Sequence, residues 1–171
     1  GPSVEKRVKV LLVDDHEMVR MGLAAFLSTE KGIEIVGEAS SGAEGVKLAE
    51  KTKPDVVLMD LVMEQMDGIE ATKEVLKVHP EAKVIVLTSF HDDDKVYPAV
   101  EAGAFSYLLK TARASEIAQA VRQAARGQSV FEAQVAGKLM SRFRGETKTD
   151  SAPHEQCTER ELEVLRLIGE G

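Results

Sequence analysis

With 171 residues, 43% hydrophobic and 30% charged, the chain suits one well-packed domain and a fragment rather than two complete domains. Its net charge of −7, from 29 acidic against 22 basic residues, makes it a poor binder of nucleic-acid phosphates. The longest apolar runs are far shorter than the roughly 20 residues of a membrane span, no signal peptide is recognisable, and a single cysteine, Cys157, excludes an internal disulfide and suits a reducing cytosol. Gly1-Pro2-Ser3 reads as a scar of tag cleavage and takes no part in the fold reasoning.

Short β-branched runs alternate with longer stretches of helical periodicity through the first 125 residues. The strands are predicted at 8–13, 33–38, 56–59, 84–88 and 105–109, and the helices at 17–28, 43–50, 69–78, 93–102 and 114–125. Three of the strands are continuous apolar runs, as strands covered on both faces should be. Gly32, Gly68, Gly103 and Gly127, with Pro54 and Pro80, punctuate the elements. Five such units predict an α/β, flavodoxin-like doubly wound parallel sheet of order 2-1-3-4-5, whose ligands gather at the carboxyl ends of the strands.

In the first helix Val19, Leu23 and Phe26 are expected to form the core stripe. That leaves Met18, Met21 and Ala25 on the opposite side, an apolar cluster that suggests a dimer face, although scattered exposed methionines are common. Beyond Gly127, residues 131–143 form another amphipathic stretch. Residues 144–156 are polar and contain Gly145, Ser151 and Pro153, so 127–156 reads as a linker helix and linker. Residues 158–171 open with Thr158 and Glu161 at capping-box spacing and carry Leu162, Leu165 and Ile168 on one face.

Asp14 and Asp15 end the first strand, Asp60 the third, Thr88 the fourth and Lys110 the fifth. The expected topology brings all five to one cleft. An Asp-Asp pair by itself is often only a helix cap, but three carboxylates at adjacent strand ends repel one another and call for a hard divalent cation such as Mg²⁺ and for the lysine. A carboxylate so neutralised can accept a phosphoryl group. Asp60 is central and is the candidate nucleophile. Asp15, Asp60 and the backbone carbonyl of Val62 are candidate metal ligands, with Asp14 acting through a metal-bound water and Thr88 and Lys110 holding the phosphoryl oxygens. His16, His79, His91 and His154 lack metal-ligand spacing and read as solvated histidines, and Asp92-Asp93-Asp94 as the cap of the fourth helix.

Leu12-Val13-Asp14-Asp15-His16, Leu58-Met59-Asp60-Leu61-Val62-Met63, Met66-Asp67-Gly68, Leu87-Thr88-Ser89 and Tyr107-Leu108-Leu109-Lys110 together resemble the receiver domains of two-component response regulators, over 7–126. The run from Thr158 to Leu165 resembles the opening helix of a LuxR-type helix-turn-helix domain, so 157–171 reads as its N-terminal fragment and the chain as one of the NarL/FixJ class. Asp14 to Arg20 and Met63 to Gly68 are similar to the LiaR/VraR group of cell-envelope stress regulators. Glu64 and Thr111 stand where many receivers have proline.

The resemblance implies a cytoplasmic signalling protein rather than an enzyme, with a membrane sensor histidine kinase as phosphoryl donor. It also implies that phosphorylation drives homodimerisation and, in a full-length protein, promoter DNA binding, with the recognition helix beyond Gly171. It implies further that Thr88 shifts towards the phosphoryl group and Tyr107 turns inward. Val62 and Phe90, two residues past the acceptor and the threonine, cannot orient water, which predicts slow self-dephosphorylation. A stand-alone phosphocarrier would lack the tail. A flavodoxin would need a hydroxyl-rich first loop, and a phosphatase with an aspartate nucleophile would need an acid at Val62.

Overall fold

The computed structural model describes residues 7–88 and 95–131, together with 136, 137 and 140. The readings of Phe90, His91, Asp92-Asp93-Asp94, His154, Cys157 and the tail from Thr158 lie outside the described residues, as does most of the 131–143 stretch.

Strands β1 (Val8–Val13), β2 (Ile33–Ala39), β3 (Val56–Asp60), β4 (Lys83–Thr88) and β5 (Ser106–Leu109) alternate with helices α1 (Glu17–Ser28), α2 (Gly42–Thr52), α3 (Gly68–Val78), α4 (Val96–Ala102) and α5 (Ala114–Ala125). The strands pair in parallel in the order β2-β1-β3-β4-β5. This is the α/β doubly wound sheet that the residue pattern predicts.

The two-residue period of each strand sorts its side chains between two apolar layers. Leu11, Val13, Val57, Met59, Val84 and Val86 face the layer completed by Ala49, Ala71, Val75, Ala99 and Val100 of α2, α3 and α4. Val10, Leu12, Val56, Leu58, Ile85 and Leu87 face Ala24 and Leu27 of α1 and Ile117, Ala118 and Val121 of α5. Burial on both sides explains why β1, β3 and β4 read as unbroken apolar runs.

Local signals fix the starts of α2 and α3. Ser41 accepts the Glu44 amide at 3.2 Å and Asp67 the Glu70 amide at 2.9 Å, each a side-chain N-cap stabilising by about 1 kcal/mol. His16, the N-cap of α1, makes no such side-chain bond.

One expectation is overturned in α1. Val19 is 48% exposed and does not belong to the core stripe, whose buried members are Ala24 and Leu27 with Leu23 and Phe26 partly covered. The inward position of the first turn falls to Arg20, one turn before Ala24. Its guanidinium donates to the Asp14 carbonyl at 2.7 Å and to Glu38 at 3.3 Å. A pattern that reads hydrophobic residues as inward cannot place an arginine there.

Past α5 the chain turns at Gly127 and runs beside β5. The Tyr107 amide donates to the Val130 carbonyl and the Val130 amide to Ser106 Oγ, both at 3.0 Å, and Phe131 forms a parallel bridge with Tyr107 while packing on the core. This short passage covers main-chain groups that β5 would otherwise present at the sheet edge.

Candidate functional site

The chain order reverses between β1 and β3, because β1 is flanked by β2 on one side and β3 on the other. Crossover connections leave this switch point on opposite faces and open a crevice at the strand ends. Asp14 and Asp15 follow β1 into it, and Asp60 is the last residue of β3.

Asp60 is only 1% exposed, and Lys110 Nζ lies 2.8 Å from its Oδ1 as an ion pair. Burial raises the Asp60 carboxyl from its ordinary 3.8 to about 6, opposed by Lys110 and reinforced by the neighbouring charge of Asp14. At pH 7 it is therefore still chiefly a carboxylate, and so a competent nucleophile. Lys110 is held in place from the backbone, where its amide donates to the Thr88 carbonyl at 2.7 Å. Thr88 itself is buried at the end of β4.

Asp14 is buried, and its Oδ1 accepts the His16 amide at 2.7 Å. Asp15 Oδ2 accepts the Glu64 amide at 3.2 Å, tying the β1 end to the loop after β3. That loop closes through Gly68, whose amide donates to the Leu61 carbonyl at 2.8 Å. Val62 lies in it with 45% of its surface exposed.

The site thus gathers Asp14, Asp15, Asp60 and Lys110 as the strand-end reasoning expects. It also contains His16, for which the sequence spacing predicts only a solvated histidine and whose side chain is 61% exposed. His16 Nδ1 lies 3.2 Å from Asp14 Oδ1, 3.2 Å from Asp15 Oδ1 and 3.6 Å from Asp60 Oδ2. Its adjacency to Asp14-Asp15 was the available signal, but ligand spacing in helices or zinc motifs does not cover a residue that turns back from an N-cap.

The donor set fits a divalent cation. One ligand atom from each of Asp14, Asp15, His16 and Asp60 lies within 4.8 Å of the others. Asp60 Oδ1 is served by Lys110, whereas Asp15 Oδ1 and Asp60 Oδ2 are buried without a well-formed hydrogen bond. Buried carboxylate oxygens lacking donors are costly unless a cation serves them.

Residues 10–122 match the family model described as the response regulator receiver domain. The chain belongs to the response regulator receiver family. This response regulator is 61% identical over 164 residues to the transcriptional regulatory protein LiaR of Bacillus subtilis (strain 168), covering 96% of this chain and 77% of that protein. It is 51% identical, with the same coverage, to the response regulator protein VraR of Staphylococcus aureus (strain Mu3 / ATCC 700698). Among solved structures it is similar to a LuxR-family two-component response regulator from Aurantimonas sp. SI85-9A1, with a TM-score of 0.75 and 29% identity over 81% of this chain and 99% of that one. It is similar too to the response regulator ChrA of a heme-sensing two-component system, with a TM-score of 0.66 and 34% identity over 96% of this chain and 76% of that one.

Tyr107 is wholly buried in the layer under α2, α3 and α4. Met18 is 83% exposed and Met21 and Ala25 are exposed as well, with Val19 beside them. No described helix is long and apolar enough to cross a membrane.

Proposed function

We propose that this response regulator accepts a phosphoryl group on Asp60 from a sensor histidine kinase, and that the acyl phosphate promotes homodimerisation and, in a full-length protein, promoter binding in a cell-envelope stress response. The observation that carries this reading is the buried Asp60 carboxylate, ion-paired with Lys110 and flanked by Asp14 and by Asp15, whose Oδ1 is buried without a donor.

Asp15, Asp60 and the Val62 carbonyl would hold Mg²⁺ directly, with Asp14 acting through a bound water. When bound, the cation supplies positive charge against the oxygens of the transferring phosphoryl group. An Asp60 oxygen attacks phosphorus, the P–N bond of the donor phosphohistidine breaks, and the imidazole leaves with the electron pair. Lys110 is already within ion-pair distance and neutralises charge on the phosphoryl oxygens, while the Thr88 hydroxyl donates to one of them. The buried position of Tyr107 is the one we assign to the phosphorylated state, which the shift of Thr88 would secure.

Intact mass after incubation with acetyl phosphate tests the acceptor. A single phosphoryl adduct that needs Mg²⁺, and that borohydride reduction maps to the peptide containing Asp60, is the expected result. An adduct on another residue would refute it.

The exposed Met18, Met21 and Ala25 are the proposed dimer face. Sedimentation with a phosphoryl mimic should show wild type dimerising and Met18→Glu remaining monomeric, since a carboxylate on an apolar contact must be desolvated on association. An unimpaired Met18→Glu dimer rejects this face.

Val62 has no group to align an attacking water. The acyl phosphate should therefore be long-lived, and Val62→Asn should shorten its half-life at least about tenfold in a phosphate-release assay. Equal decay of the two proteins would exclude this control.

A further inference from the structure

We propose that residues 129–131 are a detachable edge strand, held on β5 most firmly when Asp60 carries a phosphoryl group, so that a change of charge at one end of the sheet is passed to the chain beyond Phe131. The proposal rests on the acceptor reading above and adds an output route to it.

The passage straddles β5 as a sixth strand would. Val130 packs on the apolar layer of α1 and α5, and Phe131 on the opposite layer, the one that contains Tyr107. Its attachment is slight. The Tyr107 amide donates to the Val130 carbonyl and the Val130 amide to Ser106 Oγ, both at 3.0 Å. Against these stands Ser129 Oγ, which is buried without a hydrogen bond and regains one in water on release. Release also returns the conformational freedom of three ordered residues. It need not disturb α5, because Gly127, at φ 81° with open space where a Cβ would stand, turns the chain away from the helix. The amides of Gly127 and Gln128 stay fixed on the Ala124 and Gln123 carbonyls.

β5 joins this border to the acceptor. Lys110 directly follows the strand, and its Nζ lies 2.8 Å from Asp60 Oδ1 while its amide is held on the Thr88 carbonyl at 2.7 Å. Tyr107, three residues earlier, bridges Phe131 and is the largest of the fully buried side chains in the layer on which Phe131 rests. A ring turned out of that layer would leave Phe131 without part of its support, so the inward ring and the docked strand belong to one state.

The test follows single-amide hydrogen exchange by NMR in the whole chain with Mg²⁺, with and without acetyl phosphate, the adduct being checked by intact mass before and after. Leu58, in the middle of the sheet, is the reference for global opening. Relative to Leu58, the Tyr107 amide should exchange at least about fivefold more slowly in the phosphorylated protein. Phe131→Ala should take up the phosphoryl group as wild type does, exchange Tyr107 at least about tenfold faster, and lose the difference between the two states. Ser129→Ala removes the orphaned hydroxyl and should slow exchange in the unphosphorylated protein about threefold. Exchange at Tyr107 that is unchanged or faster on phosphorylation overturns the proposal, as does a Phe131→Ala protein in which the difference survives. A wild type that forms no adduct on Asp60 removes the acceptor reading instead, and this proposal with it.

Discussion

An Asp60→Asn protein is expected to take up no phosphoryl group and yet, free of metal at pH 7, to be more stable than wild type. Both effects come from one carboxylate. The amide is not a nucleophile towards phosphorus, so the intact-mass adduct should vanish. The stability gain follows from linkage. Folding raises the Asp60 carboxyl from 3.8 to about 6, chiefly by burial. Below about pH 4 folded and unfolded chains are both protonated and the site has no effect on stability. Between about 4 and 6 the folded protein keeps a proton that the unfolded chain has released, so stability falls as pH rises. Above about 6 the destabilisation is complete and constant, at most about 3 kcal/mol from a shift of about two pKa units at 1.36 kcal/mol each. Asp60→Asn removes it but leaves the Lys110 ammonium without its counter-charge, so a net gain of roughly 1–3 kcal/mol is expected in urea unfolding at pH 7. The gain should shrink towards zero near pH 4. Added Mg²⁺ should stabilise wild type and narrow the difference from the other side. A destabilised Asp60→Asn protein at pH 7 would mean that the ion pair outweighs burial.

Gly68→Ala is expected to cost about 3 kcal/mol or more and to weaken metal binding at least about tenfold. A Cβ at this position would press on the carbonyl oxygen of Asp60 and lie 2.7 Å from Leu61 Cα. The atoms in the way are backbone, not the mobile end of a side chain, so nothing local can yield. Relief requires opening the loop that the Gly68 amide closes on the Leu61 carbonyl, and the end of β3 would move with it. Gly22→Ala in α1 is the internal control, because its Cβ would meet no atom within 4 Å and helix propensity alone should stabilise by roughly 0.5–1 kcal/mol. Urea unfolding of the two variants should move in opposite directions, and a Gly68→Ala protein as stable as wild type would refute the close approach.

Most of the sheet could be read from the residues because each buried strand carries its apolar side chains without interruption, and turn residues bound it. β1, β3 and β4 show this best, and α1 and α5 begin and end at the residues their periodicity marks. The acidic cleft was legible for a related reason. Once β1 and β3 are neighbours, Asp14, Asp15 and Asp60 have only one end of the sheet to occupy, and Lys110 follows from β5. Side chains whose direction depends on hydrogen bonding were not legible. Arg20 points inward because the Asp14 carbonyl accepts from it, and so displaces Val19. His16 joins the carboxylates because its own amide is pinned to one of them. Neither fact leaves a trace in hydrophobic patterning.

The passage at Val130 and Phe131 has a bearing on where this body can be cut. A chain shortened to Arg126 would keep α1 to α5 yet leave the amide of Tyr107 and the hydroxyl of Ser106 without the partners they have in Val130. It would also expose the last strand as a ready seam for a foreign strand or a second molecule. The few residues after Gly127 therefore act as a selvedge, finishing a border that the helices do not reach.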